Sequence, residues 1–239
     1  MSELILVRHG QASFLTDNYD RLSATGIEQS RLLGTYWARM KVSFDEVYTG
    51  QLERQRHTAQ IIGECYREAG LDWPGPVLLP ELDECHLDSL IKKHMGALVG
   101  KYDHVRDLAQ EIGAAETDEQ RTKLYQKAFE AVMDLWIREE IDFDEIEPWA
   151  AFEERVVEGV RRMTRGKNSG VRIAAFTSGG PSAVAIKHVT GVTTPVSLNF
   201  MWTKRNSALT EFLFTNGRMT LSSFNSVPHL HDPALWTYR

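Results

Sequence analysis

Leu4-Ile5-Leu6-Val7-Arg8-His9-Gly10 is the stretch that decides the fold of this chain. The run from Leu4 to Val7 is wholly apolar, rich in branched side chains and too short for a helix. It fits a central strand covered on both faces, because a strand with one wet face alternates apolar and polar residues. The run stops at a glycine-containing turn that carries an arginine and a histidine. In open α/β sheets ligands sit outside the carboxyl ends of the strands, where backbone donors and side chains converge.

Working outward, residues 20–26 read as a loop with Ser23 as the N-cap of a helix that runs to about Met40, with Ile27, Leu32, Leu33 and Tyr36 as its apolar stripe. Residues 46–49 form a second candidate strand, broken by Gly50. Residues 52–68 then have helical spacing in Ala59, Ile61, Ile62 and Tyr66. Pro74, Pro76 and Pro80 mark an extended connection with one short strand at 77–79. Strand and helix therefore alternate, βαβα, as in an α/β protein.

Residues 87–165 look almost wholly helical. Thr117 with Gln120 matches a capping box, and Leu124, Phe129, Val132, Leu135 and Trp136 recur at helical spacing. After Pro148 the pattern repeats in Phe152, Val156, Val157, Val160 and Met163. We read a helical insertion at approximately 87–150 within a single domain spanning 1–239. Residues 171–177 are a strand ending in Ser178-Gly179-Gly180, and a helix at 181–189 begins with Pro181, which the first turn tolerates. Two further strands, 207–214 and 219–224, are joined by Asn216-Gly217, a hairpin-turn signal. The tail with Pro228 and Pro233 reads as coil.

Composition narrows the function classes. A hydrophobic fraction of 42% with 25% charged residues is that of a globular protein with a core. The net charge of −6 argues against a general nucleic-acid binder, which needs a basic face. A phosphate ligand would need a local positive pocket. Cys65 and Cys85 are too few to staple a fold and read as free thiols. No basic leader opens the sequence, and no apolar stretch approaches the roughly 18 residues that cross a bilayer, so no membrane partner is expected and cytoplasm is the default location. Self-association into a homo-oligomer stays open. No P-loop or dinucleotide fingerprint is present, and His229 with His231 falls short of a metal's first shell, so neither cofactor nor metal is expected. The tryptophans sit mainly at helical spacing, as core residues do.

At the end of the first strand, a neutral His9 imidazole could attack phosphorus and hold the phosphoryl group, splitting one hard transfer into two easier ones. An adjacent guanidinium can clamp the charged oxygens in a fork that lysine cannot copy.

Three stretches carry a more specific signal. Leu6-Val7-Arg8-His9-Gly10-Gln11 resembles the opening signature of the histidine phosphatase superfamily, the phosphoglycerate-mutase-like fold. The run from Leu22 to Gln29 resembles that family's Leu-Thr-x-x-Gly-x-x-Gln helix start, and Tyr48 to Arg54 followed by Thr58-Ala59 is similar to its second motif. The resemblance implies an α/β fold: a three-layer α/β/α sandwich with a mostly parallel central sheet and a helical insertion. It implies His9 as nucleophile, Arg8 and Arg54 as phosphate clamp, and Gly10 as the residue that lets the backbone approach closely. Two guanidinium groups should depress the proton affinity of the imidazole. Taken alone, Arg54 reads more readily as a solvated helix arginine, with Arg56 two residues away, so its place in the clamp is what the resemblance implies.

Phosphoryl transfer also needs a proton for the leaving oxygen. Leu82-Asp83-Glu84 resembles the family's Leu-x-Glu motif, which implies Glu84 as the acid, with Glu81 and Asp83 as rivals. An acidic helix start would look the same. The last motif departs from the pattern: where the family has Ser-His-Gly, this chain has Thr177-Ser178-Gly179. The Ser178 hydroxyl and the Gly179 amide could bind a phosphoryl oxygen but bring no positive charge. Ser223-Phe224-Asn225 and His229-Leu230 resemble the closing pattern, with His229 read as a structural hydrogen-bonding residue; His86 is given no catalytic role.

The leading reading is a metal-independent phosphomonoesterase for a small phosphorylated substrate, working through a phosphohistidine, with phosphatase preferred over mutase. The rival is a phosphate-ligand binding or scaffold protein that kept the pocket, with Trp136 and Trp149 on a partner surface. The insertion is expected to cover the pocket mouth and set substrate choice.

Overall fold

The computed structural model describes residues 1–13, 20–85, 87–141, 147–215 and 217–238. These divide into two compact units, one of Met1–Glu84 with Arg155–Arg239 and one of Cys85–Glu154.

The first unit is built on strands β1 (Ser2–Arg8), β2 (Glu46–Thr49), β3 (Val77–Leu78), β4 (Arg172–Thr177), β5 (Leu209–Thr215) and β6 (Arg218–Ser226), in the order β3-β2-β4-β1-β5-β6. The first four are mutually parallel, whereas β5 runs antiparallel to both β1 and β6. The sheet is therefore mostly parallel, and the fold is α/β. Strand β1 lies between β4 and β5, which explains its unbroken apolar run. Leu4 and Leu6 face a core with Ile173, Ala175 and Phe212, while Ile5 and Val7 face another with Ala174 and Phe176. Each fully buried aliphatic or aromatic side chain contributes about 1.5–3 kcal/mol.

Helices α1 (Ala24–Arg39) and α2 (Glu53–Glu68) pack on one face through Leu33, Trp37, Ala59, Ile62 and Tyr66. The other face holds Val160 and Met163 of α6 (Trp149–Thr164) and Ala185 and Ile186 of α7 (Gly179–Thr190). Ser23 caps α1, its side chain accepting from Gly26 N–H.

Three expectations need correction. The buried face of α1 is turned from the predicted stripe: Ile27 is 36% exposed, while Gln29 and Ser30 are fully buried. These polar residues can enter because each is bonded, Gln29 to Gln11 N–H and Leu235 O, Ser30 to Gly26 O. Helix α7 starts two residues before the expected 181, so Gly179 and Gly180 form its first turn. A further helix, α8 (Thr194–Thr203), was not anticipated; Pro195 in its first turn was the available signal. Asn216 of the hairpin lies outside the described residues, and the adjacent Gly217 has φ of +82°, as a turn glycine can.

The second unit contains α3 (Leu87–Lys101), α4 (Asp103–Ala114), α5 (Asp118–Ile137) and the start of α6. The Thr117–Gln120 capping box is formed. Trp136 meets Trp149 edge-on, with ring centroids 5.1 Å apart, and Phe152 at 5.6 Å, so these tryptophans are core. No helix among the described residues is long and apolar enough to cross a membrane.

Candidate active site

Ladder bonding continues one residue past β1, with His9 N–H donating to Thr177 O at 2.9 Å. Gly10 N–H then turns to Thr58 Oγ1 at 3.1 Å, and the Thr58 hydroxyl donates to Arg54 O at 2.7 Å. The His9 carbonyl accepts from Ser207 N–H at 3.2 Å and from Asn206 Nδ2 at 3.4 Å. The backbone around His9 is thus fastened from the end of β4, from α2 and from the approach to β5, at the carboxyl ends of the parallel strands. A Cβ on Gly10 would lie 2.3 Å from Gly26 O, and one on Gly26 would lie 2.1 Å from Gln11 O. The turn and α1 therefore meet backbone to backbone, and that contact is what requires glycine at position 10.

The His9 side chain is buried. Its Nδ1 lies 2.7 Å from Gly10 O; a carbonyl only accepts, so Nδ1 carries the proton and Nε2 keeps its lone pair. Nε2 accepts from Arg54 Nε at 3.2 Å. Burial, then the charges of Arg54 and Arg8, hold the imidazole pKa well below its ordinary 6.5; the Gly10 hydrogen bond opposes them and Lys204 adds to them. The ring is neutral at neutral pH.

Arg54 occupies the first turn of α2, where Asp20 serves it twice. Asp20 Oδ1 accepts from Arg54 Nη1 at 2.7 Å, and Oδ2 accepts from Glu53 N–H at 2.8 Å, so one carboxylate caps the helix and aims the guanidinium. Arg8 is also buried and donates through Nη1 to Lys204 O.

Of the three candidate acids, Glu84 reaches α7, its Oε2 accepting from Gly180 N–H at 2.9 Å. Asp83 Oδ1 accepts from Gln51 N–H at 2.5 Å, and Glu81 pairs with Arg162. Arg155 holds the turn that carries all three by donating to Pro80 O, Glu81 O and Asp83 O.

Ser178 is buried at the N-cap position of α7 and accepts from Gln55 Nε2 at 3.0 Å. Gln55 Nε2 also donates to Leu82 O at 3.1 Å, tying α2, the acid turn and α7 together. A Cβ on Gly179 would lie 3.1 Å from Met201 Cγ, so Gly179 is where α8 closes on α7.

The structure thus draws together Arg8, His9, Gly10, Arg54, Glu84, Ser178 and Gly179 at one end of the sheet. Asp20, Gln55 and Lys204 were missed by sequence reasoning. His229 lies behind this constellation, with Nε2 2.8 Å from Ser207 Oγ, and burial followed by the charge of His231 lowers its pKa to about 3. His86 lies outside the described residues. Among the described residues no group of three or more His, Cys, Asp or Glu comes together as a metal site.

The model of the histidine phosphatase superfamily, branch 1, matches residues 4–110 and 89–227. The chain belongs to that superfamily. Phosphohistidine phosphatase SixA of Escherichia coli strain K12 is 26% identical over 102 residues, covering 41% of this chain and 60% of that protein. The 2,3-bisphosphoglycerate-dependent phosphoglycerate mutase of Azorhizobium caulinodans is 32% identical over 104 residues, covering 41% of this chain and 50% of that protein. The chain thus spans little more than half the length of these curated relatives. Among solved structures, phosphoglycerate mutase from Bacillus anthracis superposes with a TM-score of 0.63 at 18% identity, over 95% of this chain and 94% of that one. That likeness shows that this histidine phosphatase superfamily member shares its fold over nearly the whole chain.

Proposed function

We propose that the chain is a metal-independent phosphomonoesterase that cleaves a small phosphorylated substrate through a phosphohistidine on His9. The observation that carries this reading is the tautomer. Nδ1 is committed to Gly10 O, so the lone pair of Nε2 faces the Arg54 guanidinium, where an incoming phosphoryl group would be clamped.

In the first step the Nε2 lone pair forms the P–N bond as the ester P–O bond breaks, and the leaving oxygen takes its proton from the Glu84 carboxyl. Arg8 and Arg54 neutralise the equatorial oxygens, which is most of what phosphoryl transfer asks of a protein. In the second step the Glu84 carboxylate takes a proton from water, the water oxygen bonds to phosphorus, and the P–N pair returns to Nε2. Inorganic phosphate leaves and the starting protonation is restored. Ser178 and the first turn of α7 contribute neutral donors at the same site. The similar proteins, a phosphohistidine phosphatase and a phosphoglycerate mutase, support a phosphoryl substrate.

A binding protein on the same fold is the second reading. It is favoured by one observation, that the Ser178 hydroxyl already meets Gln55 and the Gly180 amide already meets Glu84. Release of inorganic phosphate from a panel of small phosphoesters and an aryl phosphate, in chelator, with wild type beside His9→Ala, separates the two. Turnover that survives chelator and disappears in His9→Ala is the expected result. No turnover on any ester, with phosphate still raising the melting temperature, would establish the binding protein.

A further inference from the structure

Lys204 is fully buried just beyond α8, and the mechanism above does not use it. Its Nζ has one hydrogen bond among the described residues, to Ser182 Oγ at 2.7 Å, and no carboxylate within ion-pair distance. The Ser182 hydroxyl donates to Ser178 O at 2.7 Å, so towards Lys204 it can only accept. An ammonium has three protons to place, and here one is placed. Burial, then the charge of Arg8, whose guanidinium donates to the carbonyl of Lys204 itself, hold the Lys204 pKa well below its ordinary 10.5. The Lys204 ammonium is repelled by a neighbouring cation and loses hydration that the Ser182 hydroxyl alone does not replace. Its charge is costly while the pocket is empty and becomes favourable once an anion occupies it.

We propose that Lys204 is a cation of the phosphoryl site: its ammonium, held against the first turn of α7 by Ser182, acts through space on a bound phosphoryl dianion and supplies positive charge that the Ser178 hydroxyl lacks. It is a positioning residue, touching the N-terminal turn of α7 and not the reacting atoms. The burial that costs the free protein stability also strengthens the attraction, because charges in a poorly polarisable interior are weakly screened. Lys204 also contributes to keeping His9 unprotonated. The proposal rests on reading the His9 pocket as a phosphoryl site.

The test uses the whole chain and inorganic phosphate, comparing wild type with Lys204→Met by thermal melting and by titration calorimetry. Removing an uncompensated buried charge should leave the phosphate-free protein as stable as wild type or more so, while phosphate binds about tenfold more weakly or worse. A lysine serving only to pack the fold would lower the phosphate-free melting temperature instead, and that outcome, or unchanged phosphate affinity, overturns the proposal. Should Lys204→Met fail to fold, Ser182→Ala gives the second reading. It leaves the ammonium with no protein acceptor, so the free protein should melt lower and phosphate should raise its melting temperature by more than in wild type; an equal or smaller rise counts against Lys204. If phosphate fails to stabilise wild type at all, the phosphoryl-site reading falls and Lys204 falls with it. If wild type responds and Lys204→Met responds equally, only Lys204 falls.

Discussion

His9 can attack only while its Nε2 lone pair is free, and burial, Arg54 and Arg8 all resist its protonation. The acid limb of kcat/KM should therefore lie below pH 6.5, activity falling as pH drops through the lowered pKa. In Arg54→Gln, which removes the second largest of those influences, the limb should move up towards 6.5 while kcat/KM falls about a hundred- to a thousandfold. Parallel pH–rate profiles check both, and a wild-type limb at 6.5 would contradict the account. Asp20→Ala should release the Arg54 fork and uncap α2, costing about 1 kcal/mol in urea unfolding and raising KM more than it lowers kcat. Arg8, His9 and Arg54 were legible because they sit in motifs at a strand end and a helix start. Asp20 and Lys204 are single polar residues in connecting segments, and nothing in local spacing tells a buried lysine from a solvated one.

At the scale of elements, the closest constraint is the meeting of the His9 turn with α1. Gly26→Ala would set a Cβ 2.1 Å from Gln11 O, and backbone on both sides leaves no flexible side chain to give way. The expected loss is about 2 kcal/mol or more in urea unfolding, accompanied by lower turnover, because the displaced turn carries His9. An unchanged midpoint would mean that the two segments separate more easily than their packing indicates. The strands and most helices were readable from period, caps and prolines. The buried face of α1 was not, because Gln29 and Ser30 enter the core through hydrogen bonds to Gln11, Leu235 and Gly26, and no hydrophobic periodicity reports such bonds. Helix α8 escaped for a related reason: only Ser197 of its length is fully buried, so it has no sustained apolar stripe.

Across the whole molecule, two buried neutral histidines make stability depend on acid. In the unfolded chain both titrate near 6.5, whereas in the folded protein His229 titrates at about 3 and His9 well below 6.5. Below pH 6.5 the unfolded state binds protons that the folded state refuses. Their effect on stability is therefore flat above that pH and increasingly unfavourable as pH falls towards 3, by on the order of 5 kcal/mol from His229 alone. Urea unfolding from pH 7 down to 4 should show this loss, and it should be shallower in His229→Gln; an equal slope in the variant would remove His229 as a cause. The strand order β3-β2-β4-β1-β5-β6, by contrast, could not be read from periodicity, yet it is what brings residues as distant as His9, Arg54, Glu84, Ser178 and Lys204 to one end of the sheet.

The most direct test of the central claim is to mix the protein with a phosphoester it turns over, quench in alkali, where phosphohistidine survives, and map the phosphoryl group by peptide mass spectrometry. The account predicts it on the peptide containing His9, on Nε2, and absent from His9→Ala. A phosphoryl group on any other residue, or turnover that persists in His9→Ala, would contradict it.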